Sequence, residues 1–329
     1  MLQEGRESNA MRPNLSIVTT LYNSAATIEA FCARAVLAAE KVTGNFEIVI
    51  VDDGSPDDSL KIACRLAKQD PRLKIIELSR NFGHHKALMT GLMHATGDHC
   101  FLIDSDLEED PLLLLAFWEK LHSADIDVVY GYQIARAGSA FRRATGAFAY
   151  WVFELLIPQR IPRNHITVRL MRRRYVESLV LHREQRTAIG GLWVITGYHQ
   201  IGMPVNKIIR RTTTYSFLRR WHTFIDSITS FSETPLIAIF YLGIAISLIS
   251  AIYATALILR WLVGGVGVPG WLSVMVSVWL LGGIAIFCMG LIAIYLSKIF
   301  IETKNRPYTI VRAVHHEDAQ GSYLLENSE

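Results

Sequence analysis

Two carboxylates one residue apart, Asp104 and Asp106, close a short apolar run (Cys100, Phe101, Leu102, Ile103) that follows a turn signal at Gly97-Asp98. On an extended chain, side chains i and i+2 lie on the same side, so both acids project together from a strand end. Like charges held that close repel unless a cation sits between them. A divalent ion with hard oxygen ligands meets that need and commonly carries a substrate phosphate. The spacing therefore points to metal-assisted chemistry on a phosphorylated substrate. His84-His85 offers two more donors. Adjacent histidines point in different directions, and no third ligand stands in register, so this pair is read as lining a nucleotide pocket instead.

The elements that must hold these acids follow from periodicity. Residues 15–20 form a β-rich run, and 27–42 have helical spacing. Residues 46–51 are nearly all apolar, as in a strand buried on both faces, and end at Asp52-Asp53. Asp57 or Asp58 can cap the next helix. Strands are predicted over 73–78, 100–103 and 127–130, with helices over 87–95 and 112–121 between them. This alternation predicts an α/β fold with a mainly parallel, Rossmann-like nucleotide-binding sheet and right-handed crossovers. Ligands bind at the carboxyl ends of strands in such sheets, where both acidic pairs fall. From 131 to 220 the pattern weakens and arginine dominates.

The chain has 329 residues, 51% of them apolar, and a net charge of only +3. The apolar excess is localised. Residues 235–259 and 271–297 contain no charged side chain, and each run exceeds the ~20 residues needed to span a bilayer. Arg210, Arg211, Arg219 and Arg220 precede the first run, and Lys298, Lys304, Arg306 and Arg312 follow the second. The positive-inside rule then puts the large domain and the C-terminus in the cytoplasm. Residues 217–233 carry apolar side chains at helical spacing with Arg219, Arg220 and His222 opposite. They read as an amphipathic helix at the membrane surface. Gly243, Ser247, Ala251 and Thr255 form a small-residue stripe that pairs the two spans or joins protomers in a homo-oligomer. Residues 1–12 are polar, without the apolar core of a secretory signal, and are expected to be disordered. The four scattered cysteines argue against a disulfide framework or a zinc site and fit a reducing compartment.

Strung together, SIVTTLYN (16–23), EIVIVDDGSPDDS (47–59), LSRNFGHHKALMTGL (78–92), GDHCFLIDSDLEEDP (97–111), DVVYG (127–131) and DSITSFSETPL (226–236) resemble glycosyltransferase family 2. Within it, the chain is similar to the polyprenyl-phosphate (dolichol- or undecaprenyl-phosphate) sugar transferases. The resemblance implies a GT-A type fold over 13–216, the interfacial helix, transmembrane helices over 235–259 and 271–297, and a cytoplasmic tail over 298–329. It implies an inverting, metal-dependent enzyme of the bacterial inner membrane, multi-pass, taking a nucleotide sugar and a polyprenyl phosphate. No nucleic-acid partner is expected. Tyr22, Asn23 and Asp53 would meet the base and ribose, with Asp52 either sharing that role or holding the next turn. Arg80, Asn81 and Lys86 would line the donor. Asp104 and Asp106 would serve the ribose and a diphosphate-bound Mg2+ or Mn2+. Glu108 stands where the family often has a metal-reaching Gln, and Glu109 reads as an acid at a helix start. Arg136, Arg142, Arg143 and Arg169 would hold the acceptor phosphate, while Arg172 to Arg174 face anionic headgroups.

The chain also departs from that family. Asn164 and Thr167 replace two acids of a motif in which Arg169 is kept, and Thr214 replaces a lysine. A different lipid-linked acceptor, or a catalytically silent scaffold that binds nucleotide sugar, stays open on that account.

Overall fold

The computed structural model describes residues 12–123, 125–133, 164–185, 189–206, 229, 234–264 and 270–316. The expected N-terminal disorder before residue 12, the interfacial helix over 217–233 apart from Thr229, and Arg136, Arg142, Arg143 and Thr214 lie outside these residues.

The first half alternates as expected: β1 (Leu15–Leu21), α1 (Ile28–Glu40), β2 (Phe46–Asp52), α2 (Ser59–Ala67), β3 (Leu73–Leu78), α3 (His84–His94), β4 (His99–Leu102), α4 (Leu113–His122) and β5 (Val128–Tyr132). Then come β6 (His165–Arg172), α5 (Arg173–Leu179), α6 (Ile189–Ile195), β7 (Gln200–Pro204), two long apolar helices, α7 (Thr234–Gly264) and α8 (Trp271–Thr303), and finally β8 (Val311–His315). Among the described residues the chain falls into two units. One holds the eight strands with α1 to α6, and the other holds α7 and α8.

The sheet runs β7-β5-β6-β4-β1-β2-β3-β8. Its centre, β4-β1-β2-β3, is parallel. Period-two alternation gives each strand two buried faces. Ile17, Ile48 and Ile50 pack with α1, α2 and α4, while Val18, Val49 and Val51 pack with α3, α5 and α6. This is why Phe46–Asp52 reads as continuous apolar sequence. α3 lies so close to the sheet that a Cβ on Gly91 would stand 2.6 Å from a Val18 methyl.

Three strands depart from expectation. β7 arises in the stretch where the sequence pattern weakens, and it pairs parallel with β5 at one end of the sheet. β6 has no counterpart in the sequence reading, yet it inserts between β4 and β5, antiparallel to both. β8 lies in the stretch expected to be tail, and it pairs antiparallel with β3. Arg312, counted above as a charge flanking the membrane, sits on β8 and pairs with Glu77 at 3.1 Å.

The apolar runs are helical beyond their expected bounds. Among the described residues one segment, Ser277–Thr303 within α8, is long and apolar enough to cross a membrane. The side chains of Ser247 and Ala251 in the small-residue stripe lie outside the description. The cysteines Cys32, Cys64, Cys100 and Cys288 are free thiols.

Candidate active site

From β1 the chain steps outward through β2 to β3, then returns to place β4 on the other side of β1. The strand order thus reverses between β1 and β4, and the crevice at their carboxyl ends is where open α/β sheets bind ligands. Tyr22 and Asn23 leave β1 there. Tyr22 is 51% exposed, and Asn23 has φ +56, a conformation Asn tolerates better than most residues. Asp104 leaves β4 on the neighbouring strand.

The loop carrying the acids is pinned from within. The Ile103 N–H donates to the Val18 carbonyl at 3.1 Å, and the Ser105 hydroxyl donates to the Thr20 carbonyl at 2.7 Å. Asp104 is half-buried, and its Oδ1 lies 3.4 Å from His84 Nε2. The other ring nitrogen of His84, Nδ1, stands 3.1 Å from the Thr20 hydroxyl. Asp106 is exposed, and its Oδ1 accepts the Glu108 N–H at 2.9 Å. Leu107 between them sits at φ +58 while almost buried. A bulky residue held in that region stores strain, and such strain concentrates at ligand sites.

Glu108 is half-buried. Among the described residues no three His, Cys, Asp or Glu side chains converge into a cage, so Asp104, Asp106 and Glu108 do not form a preformed three-ligand site. The donor chemistry still fits Mg2+ or Mn2+. Ions of this kind keep several waters and take one or two carboxylates plus the substrate's phosphates. Glu109 corrects an expectation. It is 1% exposed and stands ahead of α4, which starts only at Leu113, so it is not a first-turn acid. Asp110 does the local turn work instead, accepting the Leu112 N–H at 3.0 Å.

Asp52 and Asp53 are each 2% exposed. Burial raises both pKa values, against the backbone hydrogen bonds that lower them. Asp52 accepts the Ser55 N–H and so holds the turn after β2. Asp53 accepts the Phe82 N–H at 2.7 Å and the Gly83 N–H at 3.0 Å, which fixes the loop between β3 and α3. That loop carries Arg80 and Asn81, both exposed, and the Arg80 guanidinium lies 4.2 Å from the Phe82 ring centre. Gly54 makes this packing feasible. It has φ +66, and a Cβ there would meet the Asn81 nitrogen at 2.8 Å. Gly54→Ala is expected to cost about 1–3 kcal/mol and to push residues 80–81 outward. A thermal melt combined with titration of a nucleoside diphosphate checks both effects.

Two predicted site residues are engaged by partners other than the acids. Lys86 directs its ammonium to the Gln185 side chain (2.9 Å) and the Tyr308 carbonyl (3.2 Å). Arg169, on β6, is 1% exposed, with its guanidinium carbon 3.0 Å from the centre of the Trp193 ring. Its Nε donates to the Thr167 carbonyl at 3.3 Å. Burial presses its pKa down, while Tyr175 and Tyr130 act the other way. Arg172 to Arg174 are also tied within this domain. Arg172 donates to the Ile126 carbonyl, Arg173 pairs with Glu177, and Arg174 pairs with Asp127. These contacts are all with the domain itself. The sequence reading missed His84 as a neighbour of Asp104. Its place just after a loop gripped by Asp53 was the available signal.

The model of glycosyl transferase family 2 matches residues 16–180, from the start of the parallel core through α5. The chain belongs to glycosyl transferase family 2. Its mostly parallel sheet with acids at the strand ends is GT-A-like. A glycosyltransferase of Mycobacterium tuberculosis (strain CDC 1551 / Oshkosh) is 52% identical over 304 residues, 92% of this chain and 89% of the relative. The SfII prophage-derived bactoprenol glucosyl transferase of Shigella flexneri is 30% identical, covering 92% of this chain and 98% of its own length. The prophage bactoprenol glucosyl transferase homolog of Escherichia coli K12 is 31% identical, covering 91% and 99%. Among solved structures, the mannosyltransferase PcManGT from Pyrobaculum calidifontis, in complex with GDP-Man and Mn2+, aligns over 88% of this chain and 87% of its own. Its TM-score is 0.48 and its identity 19%.

Proposed function

We propose that this family 2 glycosyltransferase moves a sugar from a nucleotide-sugar donor to a polyprenyl phosphate. It does so at the cytoplasmic face of a bacterial inner membrane that α7 and α8 both span. The observation that carries this reading is the acidic loop at the β1/β4 crevice, in a chain that matches bactoprenol glucosyl transferases over 98–99% of their length.

The chemistry suits such an acceptor. A hydroxyl nucleophile needs a general base because its pKa lies far above neutral. A phosphate monoester has a second pKa near ~6 and arrives largely dianionic. The enzyme therefore needs to manage charge more than to abstract a proton. Asp104 and Asp106 would hold Mg2+ or Mn2+, which when bound neutralises the departing diphosphate. Asp53 keeps the loop after β3 in place beside the donor. Tyr22 and Asn23 offer an exposed surface to the base, and the exposed Arg80 and Asn81 on the gripped loop would line the donor. Arg136, Arg142 and Arg143 would fork onto the acceptor phosphate. Arg169 could join them only where the Trp193 ring yields. A single displacement inverts the anomeric carbon.

The test is transfer of radiolabelled sugar to undecaprenyl phosphate by the full chain in proteoliposomes. It uses a panel of uridine and guanosine donors that includes glucosyl donors. A lipid-linked product of inverted configuration is expected. Tight binding of a donor with no transfer to any polyprenyl phosphate would instead support a different acceptor or a silent scaffold.

A further inference from the structure

We propose that residues 307–315, which follow α8, act as a strap that holds the donor-site loop in its binding geometry, with Lys86 as the positioning residue that receives it. The proposal rests on the donor site described above and adds a part of the chain to it.

The loop over 79–83 and the first turn of α3 decide how the site is shaped. Asp53 grips the loop through Phe82 and Gly83. His84, the first residue of α3, touches both Asp104 and Thr20. One side of α3 rests on the sheet through Ala87, Leu88 and Leu92. The strap meets it elsewhere. Lys86 donates to the Tyr308 carbonyl, and its ammonium lies 5.0 Å from the Tyr308 ring centre. One turn on, the Thr90 and Thr309 hydroxyls are 2.8 Å apart. At the start of the loop, the Ser79 N–H donates to the Ile310 carbonyl at 2.9 Å.

Behind these contacts β8 is locked in register. Glu77 lies 3.1 Å from both Arg312 and His315. Without β8 the outer edge of β3 would present unpaired backbone groups. Contacts therefore run from the strap to Ser79, to Lys86 and Thr90 on α3, and through His84 to Asp104. A lysine that sequence assigns to the substrate thus acts one step behind it.

The experiment uses the full chain in nanodiscs and compares wild type with Lys86→Met and Thr309→Val. Thr309 touches Thr90 and is remote from the acids in this chain of contacts, and its hydroxyl is lost with little change of shape. Two readouts are taken: backbone hydrogen exchange over 79–86, and the affinity for a nucleoside diphosphate with Mn2+ by calorimetry. Both variants are expected to exchange faster over 79–86, with β1 and β2 unchanged, and to bind the diphosphate more weakly. The loss should be about tenfold for Lys86→Met, the scale of one charge-assisted hydrogen bond, and smaller for Thr309→Val.

Weaker binding by Lys86→Met with unaltered exchange would mean that Lys86 touches the ligand directly, and would overturn the strap. Faster exchange with full affinity would reduce the strap to a structural edge and overturn its positioning role. If Lys86→Met does not fold, Thr309→Val carries the same two readouts. If wild type binds no nucleoside diphosphate, the donor-site reading fails, and unchanged exchange in the variants would sink the strap separately.

Discussion

Replacing Asp106 by alanine is expected to cut sugar transfer by roughly 10²- to 10³-fold, the effect of losing several kcal/mol of charge stabilisation at a departing diphosphate. Folding should hardly change. Asp106 is exposed, and its one acceptance among the described residues, from the Glu108 N–H, is worth about 1 kcal/mol at most. Asp106→Asn separates the two roles, because its amide oxygen can still accept from Glu108 while the charge is gone. It should therefore melt like wild type and transfer as poorly as Asp106→Ala. Chelation of wild type with EDTA should reproduce the loss, and added Mn2+ should restore wild type but neither variant. Transfer that survives both substitutions and chelation would remove the acidic loop from the reaction.

The second large effect concerns Arg169, where stability and activity should part company. Its guanidinium is 1% exposed, and among the described residues no carboxylate pairs with it. Its contacts include the Trp193 face, the Tyr175 side chain and two carbonyls, of Thr167 at 3.3 Å and Ile166 at 3.5 Å. An arginine stays charged at neutral pH and carries five donors, so this is a costly burial. Met fills similar volume without charge, and replacing buried ions by apolar groups is often neutral or stabilising. Arg169→Met is expected to melt at or above the wild-type temperature and to lose transfer by about 10²-fold, through misplacement of the acceptor side of the site. A variant that unfolds would mark Arg169 as a cornerstone of packing. A variant that transfers normally would remove it from the site.

Much of the fold was legible because its physics is local. Phe46–Asp52 reads as a strand buried on both faces, and Asp52-Asp53 mark its end. The acids at 104 and 106 mark the end of another. β6 escaped because His165–Arg172 mixes arginines into a strand buried in the sheet, and nothing in the spacing says that Trp193 will cover one of them. β8 escaped because five residues that follow a long apolar helix carry little pattern, and the partner of His315, Glu77, lies 238 positions earlier. The contact that Lys86 makes was hidden for the same reason, since the carbonyl it reaches belongs to that distant segment. Glu109 was misread through a boundary: a helix that starts at Leu113 has no use for an acid at 109.

The pairing of β3 with β8 also has a consequence for biogenesis. Glu77 leaves the ribosome long before His315 does, and at roughly 5–20 residues per second that gap is on the order of tens of seconds. Throughout it, the outer edge of the sheet stays uncapped while both greasy helices are made. Maturation of the donor pocket is therefore timed to the last part of synthesis. A chain stalled or clipped after its second apolar helix would leave an open β edge, and with it a ready template for aggregation and an early target for cellular proteases.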